Sequence, residues 1–290
     1  MQRYRLRTLV QWGCCFALLG ALGIGTAHAT TYFVAPSGDD THDGINAPWQ
    51  SIQHAANQVT AGDTVMIASG TYTEAVTLPT SGTALAPITF QATGTVTLMS
   101  PDPQVSYSAF DISASHIVLD GIDATGGFHE TLFIRDGATH ITVQQCMIHG
   151  NTAGAWIGGS DVTISNCQFS AHTAHGVRIL DTAHDITISN TSSTLNDDGA
   201  GCSGDSDGFI VDLGASNVTF TDVTSSDNGE DGFDLNGGPV TLERVSIQGN
   251  CNGIKSAQTF TLTNALITGQ SSNGVSATAT APGTTVDIIN

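Results

Sequence analysis

Six short segments of this chain are interchangeable, and that self-similarity restricts the fold more than any composition does. ITVQQC (141–146), VTISNC (162–167), ITISNT (186–191), VTFTDV (218–223), VTLERV (240–245) and FTLTNA (260–265) align without gaps. IVLDGI (117–122) fits the same frame, and successive segments start 24, 21, 24, 32, 22 and 20 residues apart. Each reads as a short β run with apolar residues at positions 1, 3 and 6. Self-similarity at such a period marks a stacked repeat, whose unit is too small to close a core alone.

A second column follows the first: AGAW (153–156), HGVR (175–178), DGFI (207–210), DGFD (231–234), NGIK (252–255) and NGVS (273–276). Glycine recurs at 154, 176, 208, 232, 253 and 274. A glycine fixed in every repeat predicts a corner with positive φ or a close backbone approach. Strands that pair with their equivalents in the next repeat give an all-β fold, a right-handed parallel β-helix. The leucine-asparagine spacing of a leucine-rich repeat is absent, and a β-sandwich would not keep this register. Alternation along each strand points Phe209, Phe233 and Ile254 inward and Ile210, Asp234 and Lys255 outward. Asn166, Asn190 and Asn264 share one register, which predicts a polar ladder at a turn.

One domain is expected over residues 30–290, with an N-terminal cap and first rungs at 30–115 and repeat rungs at 116–290. Trp49, Ile52, Ala56 and Val59 have helical spacing, with Pro48 in the first turn and Gly62 as the stop. Such a helix would cover the open end of the stack, where unpaired strand edges invite association. Strands are expected at about 64–68, 88–91 and 95–98. The terminal run TTVDIIN is strand-like, and no cap for that end is evident.

Residues 1–29 read as an export signal peptide. Arg3, Arg5 and Arg7 precede the apolar stretch from Cys14 to Ile24, and Ala27-His28-Ala29 is a small-x-small cleavage site. The mature chain is therefore expected to be secreted or periplasmic, starting at Thr30. Of its four cysteines, Cys146 and Cys167 occupy equivalent inward positions and are expected to stack as small apolar residues. Cys202 lies in the insertion of the 32-residue step, and Cys251 lies in the corresponding loop two rungs on. A loop folding down over that gap predicts a Cys202–Cys251 disulfide, which export permits. No cysteine or histidine spacing suggests zinc.

The formal charge is −19, with 26 acidic residues against seven basic ones. Beyond the leader the basic residues are Arg135, Arg178, Arg244 and Lys255. Such a balance excludes nucleic acid as a partner and favours cations. No later apolar run is long enough to span a membrane, and a monomer is expected.

The repeat frame gives columns whose members lie about 4.8 Å apart on neighbouring rungs. One holds His175, Asp207, Asp231, Asn252 and Asn273; another holds Trp156, Arg178, Ile210, Asp234, Lys255 and Ser276. Glu230 adjoins Asp231, so Asp207, Glu230, Asp231 and Asp234 should converge on one edge. Two carboxylates at that spacing repel by roughly 3–4 kcal/mol at an effective dielectric near 20. They need a cation or shifted pKa values, and oxygen-only ligands favour Ca²⁺. The plainer alternative is a set of solvated Asp-Gly turns. Lys255 is either a cross-strand partner of Asp234 or, where a cation neutralises that aspartate, a general base. The guanidinium of Arg178 suits a sugar carboxylate and Trp156 a sugar ring. Among the histidines at 129, 149, 172 and 175, His175 is the best placed, as a column-mate of the acids.

At these residues the chain resembles a known family. SDGF (206–209), GEDGFD (229–234) and NGIK (252–255) look like the turns of family 9 polysaccharide lyases, the β-helical pectate lyases. The opening run TYFVAPSGDDTHDGINAPWQSIQHAANQVTAGDTVMIASGTY resembles that of many exported β-helix proteins. Glu230 stands where the family has aspartate, and Ile254 where it has phenylalanine. The resemblance implies Asp207, Glu230, Asp231 and Asp234 as Ca²⁺ ligands and Lys255 as the base. It also implies β-elimination on an acidic, uronic-acid polysaccharide such as pectate. On the residue chemistry above, Arg178, Trp156 and His175 are the candidates for binding that substrate. The same scaffold is compatible with a uronan epimerase or a hydrolase, because Asp207 and Asp231 can be read as a catalytic carboxylate pair. It is also compatible with a non-catalytic carbohydrate-binding or surface protein, since fold alone does not decide function.

Overall fold

The computed structural model describes residues 29–105, 107–277 and 286–289. The expected leader lies outside these residues, apart from Ala29. Every repeat becomes one rung of a parallel stack. Nine short strands, from Val76–Leu78 to Val275–Ala277, pair in chain order and form the first face. Longer strands form the second face, where His184–Ser189 pairs with Ser216–Thr221 and Ile186 lies opposite Val218. Three-residue strands such as Ser192–Thr194 and Thr224–Ser226 form the third. Positions 1 and 3 of the repeat point inward, so Ile186, Ile188, Val218 and Phe220 are buried. Phe209 and Phe233 stack with centroids 5.0 Å apart, and Phe220 meets both rings edge-on. Ile254 is buried beside them, as the alternation requires.

Position 5 of the repeat is the corner between the second and third faces. Gln145, Asn166, Asn190, Asp222, Arg244 and Asn264 all have φ between 47° and 56°. Asn and Asp tolerate this left-handed conformation better than most residues, which explains their frequency there. The expected turn is therefore real, but the expected ladder is not at that turn. Asn166, Asn190 and Asn264 are exposed, too far out to bond to one another. The ladder lies inside the next corner. There Asn196 Nδ2 donates to Asn228 Oδ1 at 2.8 Å, and Asn228 Nδ2 donates to Asn250 Oδ1 at 2.9 Å. Backbone N–H groups reinforce it, since each of His172, Asn196 and Asn228 donates to the side chain one rung on.

The glycine corner follows. The glycines at 154, 176, 208, 232 and 253 do not have positive φ; what they provide is space. A Cβ on Gly208 would lie 2.7 Å from the Gly232 carbonyl and 2.8 Å from Asn228 Nδ2. The buried asparagines thus fill the volume that the glycines vacate.

His172 interrupts the asparagine ladder between Asn151 and Asn196. It is buried, and neither ring nitrogen has a hydrogen-bond partner. Burial lowers its pKa to about 4, so the ring stays neutral in the fold. An unfolded histidine takes up its proton near pH 6.5. The contribution of this site is therefore complete above pH 6.5 and lost as pH falls toward 4, by on the order of 3 kcal/mol. His172→Asn would continue the ladder and remove that loss. Urea midpoints at pH 7 and pH 4.5 should differ less in the variant than in the parent, and equal differences would refute the assignment.

The N-terminal helix forms over Ile52–Gln58, a shorter span than the spacing predicts. Ser51 is its N-cap, with Oγ accepting from His54 N at 3.1 Å. Trp49 and Pro48 lie before it: Trp49 bridges to Val34 and stacks on Tyr32 at 4.7 Å. Val59 is already extended, so the helix stops short of Gly62. Its buried face, Ile52, Ala55 and Ala56, packs on the first rungs. The strands expected at 88–91 and 95–98 are one strand, Ile88–Met99, with an irregularity between Gln91 and Val96. At the other end Val286–Ile289 pairs with Phe260–Thr263. Cys146 and Cys167 are free and buried on adjacent rungs, and Cys202 and Cys251 form a disulfide with Cα atoms 5.5 Å apart.

Candidate functional site

The outward side of the first face carries the site. The strand register places Phe133, Trp156, Arg178, Ile210, Asp234, Lys255 and Ser276 in one line. Lys255 and Asp234 share a side, and Lys255 Nζ donates to Asp234 Oδ2 at 3.2 Å. The same ammonium lies 3.4 Å from Asp231 Oδ2. Ile210 also points outward, yet it is buried between its charged neighbours.

The column before the glycines is a ladder of its own, buried from His175 to Asp231 and opening to solvent at Asn273. The carbonyls of His175, Asp207, Asp231, Asn252 and Asn273 each accept from the glycine N–H of the preceding rung. Asp231 N donates to Asp207 Oδ1 at 2.8 Å, and Asn252 Nδ2 donates to Asp231 Oδ1 at 2.6 Å. Asn273 Nδ2 in turn donates to Asn252 Oδ1 at 3.0 Å. Asp207 and Asp231 are only 2% and 0% exposed, so neither is a solvated turn residue. Burial, with the charges of Asp231, Glu230 and Asp234 added to it, pushes the Asp207 carboxyl up to about 8. Glu230, half-buried, is raised by burial and by Asp231.

Burial disfavours the charged form of Lys255, but Asp234 and Asp231 outweigh it and hold its pKa above the ordinary lysine value. Without another cation Lys255 is an ammonium clamped by two carboxylates. Asp234 Oδ1 and Asp231 Oδ2 are nevertheless buried with no hydrogen-bond donor. Buried carboxylate oxygens without a hydrogen-bond donor suit a hard cation, and Asp207, Glu230, Asp231 and Asp234 all carry oxygen ligands. Among the described residues no three such side chains are already closed into a metal cage. Lys255 instead bridges two of the acids.

Arg178 is held by Asp212 on the next rung, at 2.9 Å. His175 is 3% exposed, and its Nε2 accepts from the Trp156 indole N–H at 2.7 Å. Its position is therefore beneath Trp156, away from solvent. Burial lowers its pKa to about 4, which keeps Nε2 free to accept. The inserted loop over residues 197–206 borders the acids: Glu230 N donates to Ser206 O at 3.4 Å, and the disulfide ties Cys202 to Cys251, two rungs on. Sequence reasoning missed Asp212 and Asn252 as partners of site residues. Asn252 was legible as a column-mate of Asp231. Asp212 was not, because it follows its strand and bonds back across a rung.

A family model described as Pel9A-like, right handed beta helix region, matches residues 32–275. A pectate disaccharide-lyase of Dickeya chrysanthemi is 28% identical over 244 residues, which are 80% of this chain and 28% of that protein. The pectate lyase PEL9 of Emericella nidulans is 37% identical over 98 residues, 33% of this chain and 23% of that protein. This chain thus spans about a quarter of the length of the curated relatives it matches. Among solved structures, pectate lyase Pel9A superposes with a TM-score of 0.68 at 20% identity, covering 88% of this chain and 78% of that one. An alginate lyase from Paenibacillus sp. superposes with a TM-score of 0.72 at 16% identity, covering 90% and 98%. At these identities the structural likeness concerns the fold alone.

Proposed function

The chain belongs to the Pel9A-like right-handed β-helix family, and on that premise we propose that it is a Ca²⁺-dependent lyase cleaving polygalacturonate by β-elimination. The observation that carries this reading is Lys255, clamped by Asp234 and Asp231 in a chain with only seven basic residues. The names of the pectate-cleaving relatives supply the substrate class.

Asp207, Glu230, Asp231 and Asp234 would hold the ion. Bound there, Ca²⁺ supplies positive charge that neutralises a uronate carboxylate and acidifies the adjacent C5 hydrogen. Lys255 Nζ takes that proton as the neutral amine, which it becomes only when Asp231 and Asp234 are neutralised by something else. The C4–O bond breaks as the C4=C5 double bond forms. The departing oxygen takes a proton from solvent, and no water is consumed across the bond. Arg178 orients the carboxylate, exchanging Asp212 for the substrate. A hydrolytic reading would use Asp207 as the acid, because its carboxyl is raised to about 8. Its burial beneath the surface keeps it from any glycosidic bond. Export and a monomeric state belong to the same proposal.

Purified protein with polygalacturonate and Ca²⁺ should generate the ultraviolet absorbance of an unsaturated product, and chelation should stop it. Asp231→Ala should raise the Ca²⁺ concentration needed by about tenfold or more, with partial recovery at high Ca²⁺. Reducing ends without that absorbance would replace elimination by hydrolysis. Failure to bind Ca²⁺ would remove the metal from the proposal.

A further inference from the structure

Two aromatic rings stand on the outward side of the first face, where the core gives them no support. Phe133 and Trp156 are half-buried, on adjacent rungs, and meet edge to face at 6.1 Å. Each is held in place from one side. Trp156 is fixed by its hydrogen bond to the buried His175, with the two ring planes 21° apart. The Arg135 guanidinium lies 4.4 Å over the Phe133 ring and is itself held by Asp111, at 2.5 and 2.6 Å. Rings set in this way before a ligand arrives lose little freedom on binding.

Charge is the second observation. Among the described residues the lysines and arginines are four, and Arg135, Arg178 and Lys255 lie along this face. Arg244 sits elsewhere, at the corner between the second and third faces. Each of the three is paired with an acid: Asp111, Asp212, or Asp234 with Asp231. The Arg135–Asp111 and Arg178–Asp212 pairs are partly exposed and contribute little stability, so a ligand carboxylate can replace either acid at small cost.

We propose that Phe133 and Trp156, braced by Arg135 and His175, form a remote sugar-stacking subsite for a polygalacturonate chain that runs along the rung axis from Lys255. The location of the reacting bond at Lys255 rests on the lyase reading above. At about 4.8 Å per rung, Trp156 lies four rungs and Phe133 five rungs from Lys255, roughly 19 and 24 Å away. A trimer seated at Lys255 falls short of both rings, whereas a polymer reaches them. The subsite therefore discriminates by chain length, and its loss weakens long substrates selectively.

The test is equilibrium binding of polygalacturonate and of trigalacturonate, with Ca²⁺, to Lys255→Ala protein with and without Phe133→Ala. Phe133 points outward, so its truncation opens no core cavity. The ratio of polymer to trimer affinity should fall about tenfold with Phe133→Ala and return with Phe133→Tyr. Equal weakening of both ligands, or no change in either, overturns the subsite even if the parent protein forms unsaturated product. Absence of polymer binding to the Lys255→Ala protein overturns it as well. A fall in the ratio supports the subsite even if the parent forms no such product, in which case the lyase reading fails alone.

Discussion

Lys255→Ala is expected to abolish polygalacturonate turnover, lowering kcat by at least about 10²–10⁴-fold, the usual contribution of a general base. The expectation follows from position. Lys255 is 43% exposed at its side chain and points away from the core, so its removal leaves the packing of Phe233 and Ile254 unchanged. Its ammonium also competes with any cation for Asp234 and Asp231, which it approaches to 3.2 and 3.4 Å. Ca²⁺ affinity should accordingly hold or rise. Stability is best compared with Ca²⁺ present, because without it the buried Asp231 loses its counter-ion. An ion pair with no catalytic role predicts the reverse, a small stability loss with unchanged turnover. Full lyase activity in Lys255→Ala would remove the lysine from the mechanism, while a lost fold, read by circular dichroism, would leave the lysine structural.

Asn228→Ala is expected to cost about 3–5 kcal/mol of stability, measured as a shift in the urea midpoint at constant slope. Asn228 is the middle of the buried ladder. Its Oδ1 accepts from Asn196 N at 3.2 Å and from Asn196 Nδ2 at 2.8 Å. Its Nδ2 donates to Ser193 O, Ser225 Oγ and Asn250 Oδ1 at 2.9–3.2 Å. Alanine strands those groups where water does not reach, and each buried orphan costs about 1–3 kcal/mol. The amide also fills the space beside Gly208, so truncation leaves a void at the corner that carries Asp207. A loss below about 1 kcal/mol would mean that the neighbouring rungs relax to replace the bonds.

The repeat, its period and the strand alternation are all legible in the sequence, and with them the side of every residue on the first face. Phe209, Phe233 and Ile254 are inside and Asp234 and Lys255 share an outer side because a strand alternates strictly and a solenoid permits no slip. The Cys202–Cys251 pairing was legible only in part: rung counting leaves the two loops two rungs apart, and the inserted loop closes that gap to a Cα separation of 5.5 Å. Lateral depth was not legible. Periodicity tells which way a side chain points but not what lies over it. Asp207, Asp231 and His175 read as surface residues at a turn, yet an inserted loop and neighbouring rungs bury all three. The asparagine ladder was misplaced by the same limit. Asn166 and Asn190 sit at an obvious repeat position, but the left-handed corner turns their side chains outward. Asn196, Asn228 and Asn250 lie in loops of unequal length, and only the closed rungs bring them into one column. The glycines admitted two explanations from sequence, and the stacking distance between rungs chose close approach over positive φ. Burial and partner choice depend on groups far apart in the chain. They were decided by the tertiary structure, because they depend on what the neighbouring rungs and the inserted loop leave open to water.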